Sequence, residues 1–131
     1  MAATYESIVI TFEKIFASSW GETLQVYPLN FVPTTRPSEF GVLEVLPFDS
    51  SLQGFSAEGR IKGQLILQIY WPVGVGPRRP YLVADALDSV LRAKVLDNNI
   101  QTGVSALVLK GNDEGDPSLS RADYVLSFTS Y

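Results

Sequence analysis

Histidine and cysteine are both absent from this 131-residue chain. Without cysteine there is no disulfide framework, no thiolate nucleophile and no zinc site built from thiolates. Without histidine the commonest general base and the commonest metal ligand are missing, and every Ser–His–Asp or Cys–His arrangement is excluded. Positive charge is scarce as well: 10 Lys and Arg against 14 Asp and Glu leave a formal charge of −4. Nucleic acids and anionic membranes are held through clustered cations, so neither is expected as the main partner. No apolar run approaches the roughly 18 residues a membrane span needs. The opening stretch, MAATYESIVITFEKIF, has acids inside its apolar part and no basic leader. It does not read as a signal peptide, and the chain is expected to be made and kept in a cytoplasm.

What is present describes a globular domain, because hydrophobic residues make up 46% of the chain and charged residues 18%. Residues 1–131 fit one domain, with no linker and no internal repeat. Residues 4 to 19 read as an amphipathic helix: Tyr5, Ile8, Val9, Phe12, Ile15 and Phe16 recur at helical spacing, with Glu6, Ser7, Glu13 and Lys14 opposite. Thr4 suits its N-cap and Gly21 its end. A short strand at Leu24 to Tyr27 leads into the irregular stretch Pro28 to Pro33, and Phe40 to Leu46 reads as a second strand. Pro47 to Gly59 reads as a long loop, of a length that is usually functional or disordered.

Ile61 to Trp71 is the clearest strand. Ile61, Gly63, Leu65, Leu67, Ile69 and Trp71 point one way, and Lys62, Gln64, Ile66, Gln68 and Tyr70 the other. Its length is near the upper limit for globular strands, so part of it is expected to project from the domain. After Pro72 to Pro77 breaks the strand, a second helix is expected from about Pro80 to Val95. Val83, Leu87, Val90 and Leu91 would be buried, and Asp85, Asp88, Ser89 and Arg92 would face water. Gly103 to Lys110 and Ala122 to Ser130 close the chain as an antiparallel hairpin around an acidic loop from Gly111 to Pro117. The order is α-β-β-β-α-β-β, an α+β domain with a mostly antiparallel sheet of about five strands and two helices on one face.

No catalytic constellation stands out. Gly74-Val75-Gly76 before a helix invites a phosphate-cradle reading, but it lacks the Lys-Ser/Thr of a P-loop and the third glycine of a dinucleotide fingerprint. A turn whose glycines supply positive φ is the simpler reading. Arg78 and Arg79 are either solvated loop residues or a pair that meets acidic groups on a neighbouring subunit. Asp113, Glu114 and Asp116 lack EF-hand spacing, so a solvated loop fits them better than calcium, with an acidic contact surface as the alternative. Among fourteen acids no carboxylate pair is singled out for glycosidase chemistry. Neither a cofactor nor a metal is implied, and the chain is not expected to be an enzyme.

Read as a whole, the segments resemble the tail-terminator proteins of long-tailed bacteriophages. The likeness runs from the N-terminal helix ending near Trp20, through Tyr27-Pro28-Leu29-Asn30-Phe31-Val32-Pro33, to the Arg60-to-Tyr70 strand with its glycine. It continues through Pro72-Val73-Gly74-Val75-Gly76 and Ala84-Asp85-Ala86-Leu87 to the closing Ser127-Phe128-Thr129-Ser130-Tyr131; the Gly111–Pro117 loop has no counterpart in it. The resemblance implies a virion protein, assembled in the bacterial host cytoplasm, that forms a homo-oligomeric ring, usually hexameric, on the last ring of the tail tube. Its partners would be itself, the tail tube protein and a head-completion or neck protein, with DNA only passing through the lumen and no membrane involved. The expected contact residues are Phe48, Phe55, Arg60, Arg78, Arg79, Asp113, Glu114 and Asp116. The loops Pro47–Gly59 and Gly111–Ser120 would make inter-ring contacts, and the Ile61–Trp71 strand would pair with a neighbour. The alternatives are another neck or minor tail protein, such as a tail-completion or head-closure subunit, and a small ligand-binding α+β domain.

Overall fold

The computed structural model describes residues 4–16, 25–28, 39–52, 59–74, 76, 78–112 and 118–130. Helix α1 spans Tyr5–Lys14 and starts where expected. The Thr4 side chain accepts the Ser7 N–H at 3.1 Å, and Ser7 Oγ accepts the Thr4 N–H at 2.9 Å, a reciprocal cap that satisfies two otherwise orphan donors. Trp20 and Gly21, expected near its end, lie outside the described residues. Strand β1 spans Gln25–Pro28, β2 Phe40–Leu52 and β3 Gly59–Pro72. Helix α2 covers Arg78–Leu91, followed by β4 (Val95–Leu96), a single 3₁₀ turn, β5 (Ile100–Asn112) and β6 (Leu119–Ser130).

The α+β class is as expected, but the sheet is mixed and has six strands, in the order β1-β2-β3-β6-β5-β4. β1 runs parallel to β2, and the other pairings are antiparallel. The additional strand, β4, has only two residues, too few to produce any alternation in the sequence.

Several boundaries differ from those read in the sequence: β5 and β6 are longer than the expected Gly103–Lys110 and Ala122–Ser130, and the ends of β2 and α2 shift. β2 continues past Leu46 to Leu52, so the first half of the expected Pro47–Gly59 loop is strand. Pro47 is tolerated because it stands at a register irregularity, before Asp49, on a strand paired beyond it on one side only. α2 begins at Arg78 rather than Pro80, which places Pro80 in the first turn, where a missing N–H costs no helical bond. It also stops at Leu91, short of Val95. There Thr102, buried on β5, donates its hydroxyl to the Leu91 carbonyl and accepts the Lys94 N–H at 2.7 Å, closing the helix end against the sheet.

Both helices share one core with the sheet. Ile8 and Phe12 of α1 and Val83, Leu87 and Leu91 of α2 join Leu65, Leu67, Ile69, Tyr124, Leu126 and Phe128 in a single buried cluster. Burial alternates along β3 as its pattern requires, with Gly63, Leu65, Leu67, Ile69 and Trp71 buried. Gly63 is glycine for a steric reason: a Cβ there would stand 2.5 Å from both the Leu46 carbonyl oxygen and Cζ of Phe128. Phe128 in turn meets Phe12 of α1 with ring centroids 5.1 Å apart. Past β3, Gly74 and Gly76 both have φ of +84°, so the glycines serve the turn, and Trp71 Nε1 donates to the Gly76 carbonyl at 2.9 Å.

Candidate assembly surface

Among the described residues the sheet is open on both sides. β4 covers β5 only at Ile100 and Gln101. Two further backbone bonds extend that closure, from Thr102 N–H to Lys94 O at 2.9 Å and from Ala93 N–H to Gly103 O at 3.1 Å. From Val104 to Asn112, β5 pairs with β6 alone among the described residues. At the opposite side, among the described residues, β1 covers β2 only from Phe40 to Leu43, and from Glu44 to Leu52 β2 pairs with β3 alone. Each open edge therefore presents a row of backbone donors and acceptors to whatever lies alongside.

Exposed edges are usually blunted with charges, prolines or bulges, because an uncovered edge recruits other strands. On β5 the blunting is slight. The stretch Val104-Ser105-Ala106-Leu107-Val108-Leu109 carries no charge; one bulge lies at its start, between Thr102 and Ser105, and Lys110 with a second bulge beside Gly111 comes at its end. Its side chains are also unusually open for their type: Val104 is 67% exposed, Val108 43% and Leu109 44%. The sheet face turned away from the helices continues the apolar character inward, since Ala106 lies opposite Val125 and Val125 opposite Ile66, both half-buried. On β2 the matching feature is Leu46, exposed beside Glu44. A shallow groove lies on the helix side of the β2 edge, lined by Tyr5, Glu6, Val9, Ile10 and Glu13 of α1 together with Pro47.

The polar groups that lie close together serve the fold. Asp88 of α2 accepts the hydroxyl of Tyr124 at 2.7 Å and that of Ser105 at 2.6 Å, tying the helix to β6 and β5. The expectation that Asp88 faces water is thus corrected. Its helical position marks it as polar, but the sheet brings two hydroxyl donors to it. Burial, and then the hydrogen bond to Asp88, push the Tyr124 phenol well above its ordinary pKa. Among the described residues no three acids gather as a metal site, and no helix is long and apolar enough to cross a membrane.

The residues singled out in the sequence are scattered by the fold. Arg79 is not a loop cation awaiting a neighbour's acid: it lies in the first turn of α2 and pairs with Glu39 of its own chain at 2.6 Å. Arg78 is exposed in the same turn. Phe48 falls on the continuation of β2, and Arg60 on β3, opposite Ser51. Phe55, Asp113, Glu114 and Asp116 lie outside the described residues, as do the rest of 53–58 and of 113–117 in the two expected contact loops. The Ile61–Trp71 strand has both its sides taken, by β2 from Ile61 to Tyr70 and by β6 from Ile61 to Trp71. Sequence reasoning missed the edge residues Val104, Val108, Leu109, Glu44 and Leu46. The signal was there in Gly103 to Lys110, whose two faces are both largely apolar although helices cover one face of the sheet.

No protein-family model matches the chain, and no curated protein matches it. Among solved structures, one whose name carries no functional description is similar over 99% of this chain and 97% of its own, with a TM-score of 0.73 and 18% identity. At that identity the likeness is one of fold. It shows that this arrangement of helices and strands recurs as a whole in another protein.

Proposed function

We propose that the chain is a non-enzymatic assembly subunit of a bacteriophage tail, a tail-terminator-like protein that forms a ring on the tail tube. The observation that carries this reading is the sheet with two long open edges and an exposed apolar rim, a surface suited to other protein chains rather than to a small molecule. The ordered resemblance along the sequence supplies the particular assembly. In this reading a growing tube exposes a ring face that recruits the next tube ring. The terminator matches that face without reproducing it on its other side, so growth stops. The new top face is then the docking surface for head-completion proteins, and DNA passes through the lumen without being bound. The negative net charge suits such a passage, since it lacks the cation excess that holds phosphates.

The experiment is a titration of the purified chain into polymerising tail tube protein, with tube lengths measured by negative-stain microscopy. Mean length should fall as the chain is added, with a cap at one end of each tube. Lengths independent of the chain would reject the terminator role and favour another position in the neck.

A further inference from the structure

We propose that copies of this chain join head to tail, the β5 edge of one against the β2 edge of the next, in a register that sets Lys110 opposite Glu44 and Val108 opposite Leu46. The inference rests on the assembly reading above and specifies its joint.

Strand direction comes first. β2, β3, β6 and β5 alternate in direction, so β5 runs opposite to β2. A copy related by rotation about an axis along the strands keeps both its strand directions and its sheet faces. Its β2 therefore meets β5 antiparallel, and the sheet continues from one copy to the next with all helices on the same side. In this register Val104–Lys110 lies against Glu44–Ser50, open edge in both copies, and the joint ends at Glu44, since β1 covers Leu43 and Val42 beyond it.

Side chains then select the register. Lys110 and Glu44 form no ion pair within the chain among the described residues, and antiparallel pairing can bring them directly opposite one another. The same register sets Val108 against Leu46 on the face away from the helices, where both are exposed. On the helix side it carries Leu109 and Leu107 to Val45 and Pro47, beside the groove lined by Tyr5, Val9 and Ile10. One register thus satisfies a charge pair, an apolar pair and an apolar groove together. Because the two edges differ, the joint is heterologous, and repeated copies either close into a ring or propagate as a filament.

The absence of native cysteine makes the test direct. Chains carrying only Leu46→Cys and only Val108→Cys are prepared, checked for an unchanged melting curve, and oxidised separately and mixed. A disulfide dimer should form in the mixture and not in either chain alone; a Val108→Cys homodimer would show a two-fold joint and overturn the proposal. Absence of crosslinking in every arm with folded protein would overturn it too. In parallel, Glu44→Lys and Lys110→Glu should each lower assembly at least ~10-fold, the effect of losing about 1.4 kcal/mol per joint, and the double variant should restore it. Failure of the double variant to recover would reject the register. The mixed disulfide dimer together with no effect of the chain on tube length would leave this joint standing and remove the terminator reading; shortened tubes without the crosslink would do the reverse.

Discussion

Tyr124 is fully buried on β6, and its hydroxyl has one acceptor, Asp88. Replacing it with phenylalanine keeps the ring but removes a hydrogen bond to a carboxylate, which costs about 1.5–3 kcal/mol, a melting loss of several degrees. The pH dependence has a definite sign. The folded state holds the phenolic proton to higher pH than the unfolded chain, whose tyrosines ionise near pH ~10. The contribution is therefore complete below that pH and is lost as pH rises above it, at up to about 1.4 kcal/mol per pH unit. Thermal melts at pH 9 and pH 11 should show a steep loss for the native chain and a shallower one for Tyr124→Phe. Equal slopes would show that Tyr124 does not report the folded state in this way.

Among elements, the seam between β2, β3 and α1 has the least room. Gly63 lets the Leu46 carbonyl and the Phe128 ring close over β3, and Phe128 seats Phe12 of α1. Gly63→Ala should cost about 1–3 kcal/mol by overpacking and lower the melting temperature by several degrees; an unchanged melt would mean that the seam opens freely. Much of this level was legible in the sequence. The period of β3, the buried stripe of α2 and the Thr4 cap all follow from local patterns, and each is seen in the fold. What was not legible depends on partners far away in sequence. Pro47 reads as a strand breaker until it is known to stand at a bulge on an edge, and Arg79 reads as loose until Glu39 is brought beside it. Asp88 reads as solvated until Tyr124 and Ser105 arrive from β6 and β5. The proposed assembly surface was legible only in part: the two largely apolar faces of Gly103 to Lys110 mark β5, but no pattern says which of its sides is open, nor that both sides of β3 are taken.

At the scale of the whole molecule, the proposed function lies on the rims of the sheet. Val108→Lys sets a charge on an exposed edge position, where the subunit's own stability should change by no more than about 0.5 kcal/mol. Assembly should nonetheless be lost, measured as a fall in mass by light scattering at an unchanged melting temperature. Equal losses of assembly and of melting temperature would trace the effect to the fold instead of the rim. The central claim, that this chain ends tail growth, is tested most directly by the length distribution of tails formed when the chain is left out of an otherwise complete phage assembly. Overlong tubes without heads are expected, and tails of normal length without heads would contradict the terminator role.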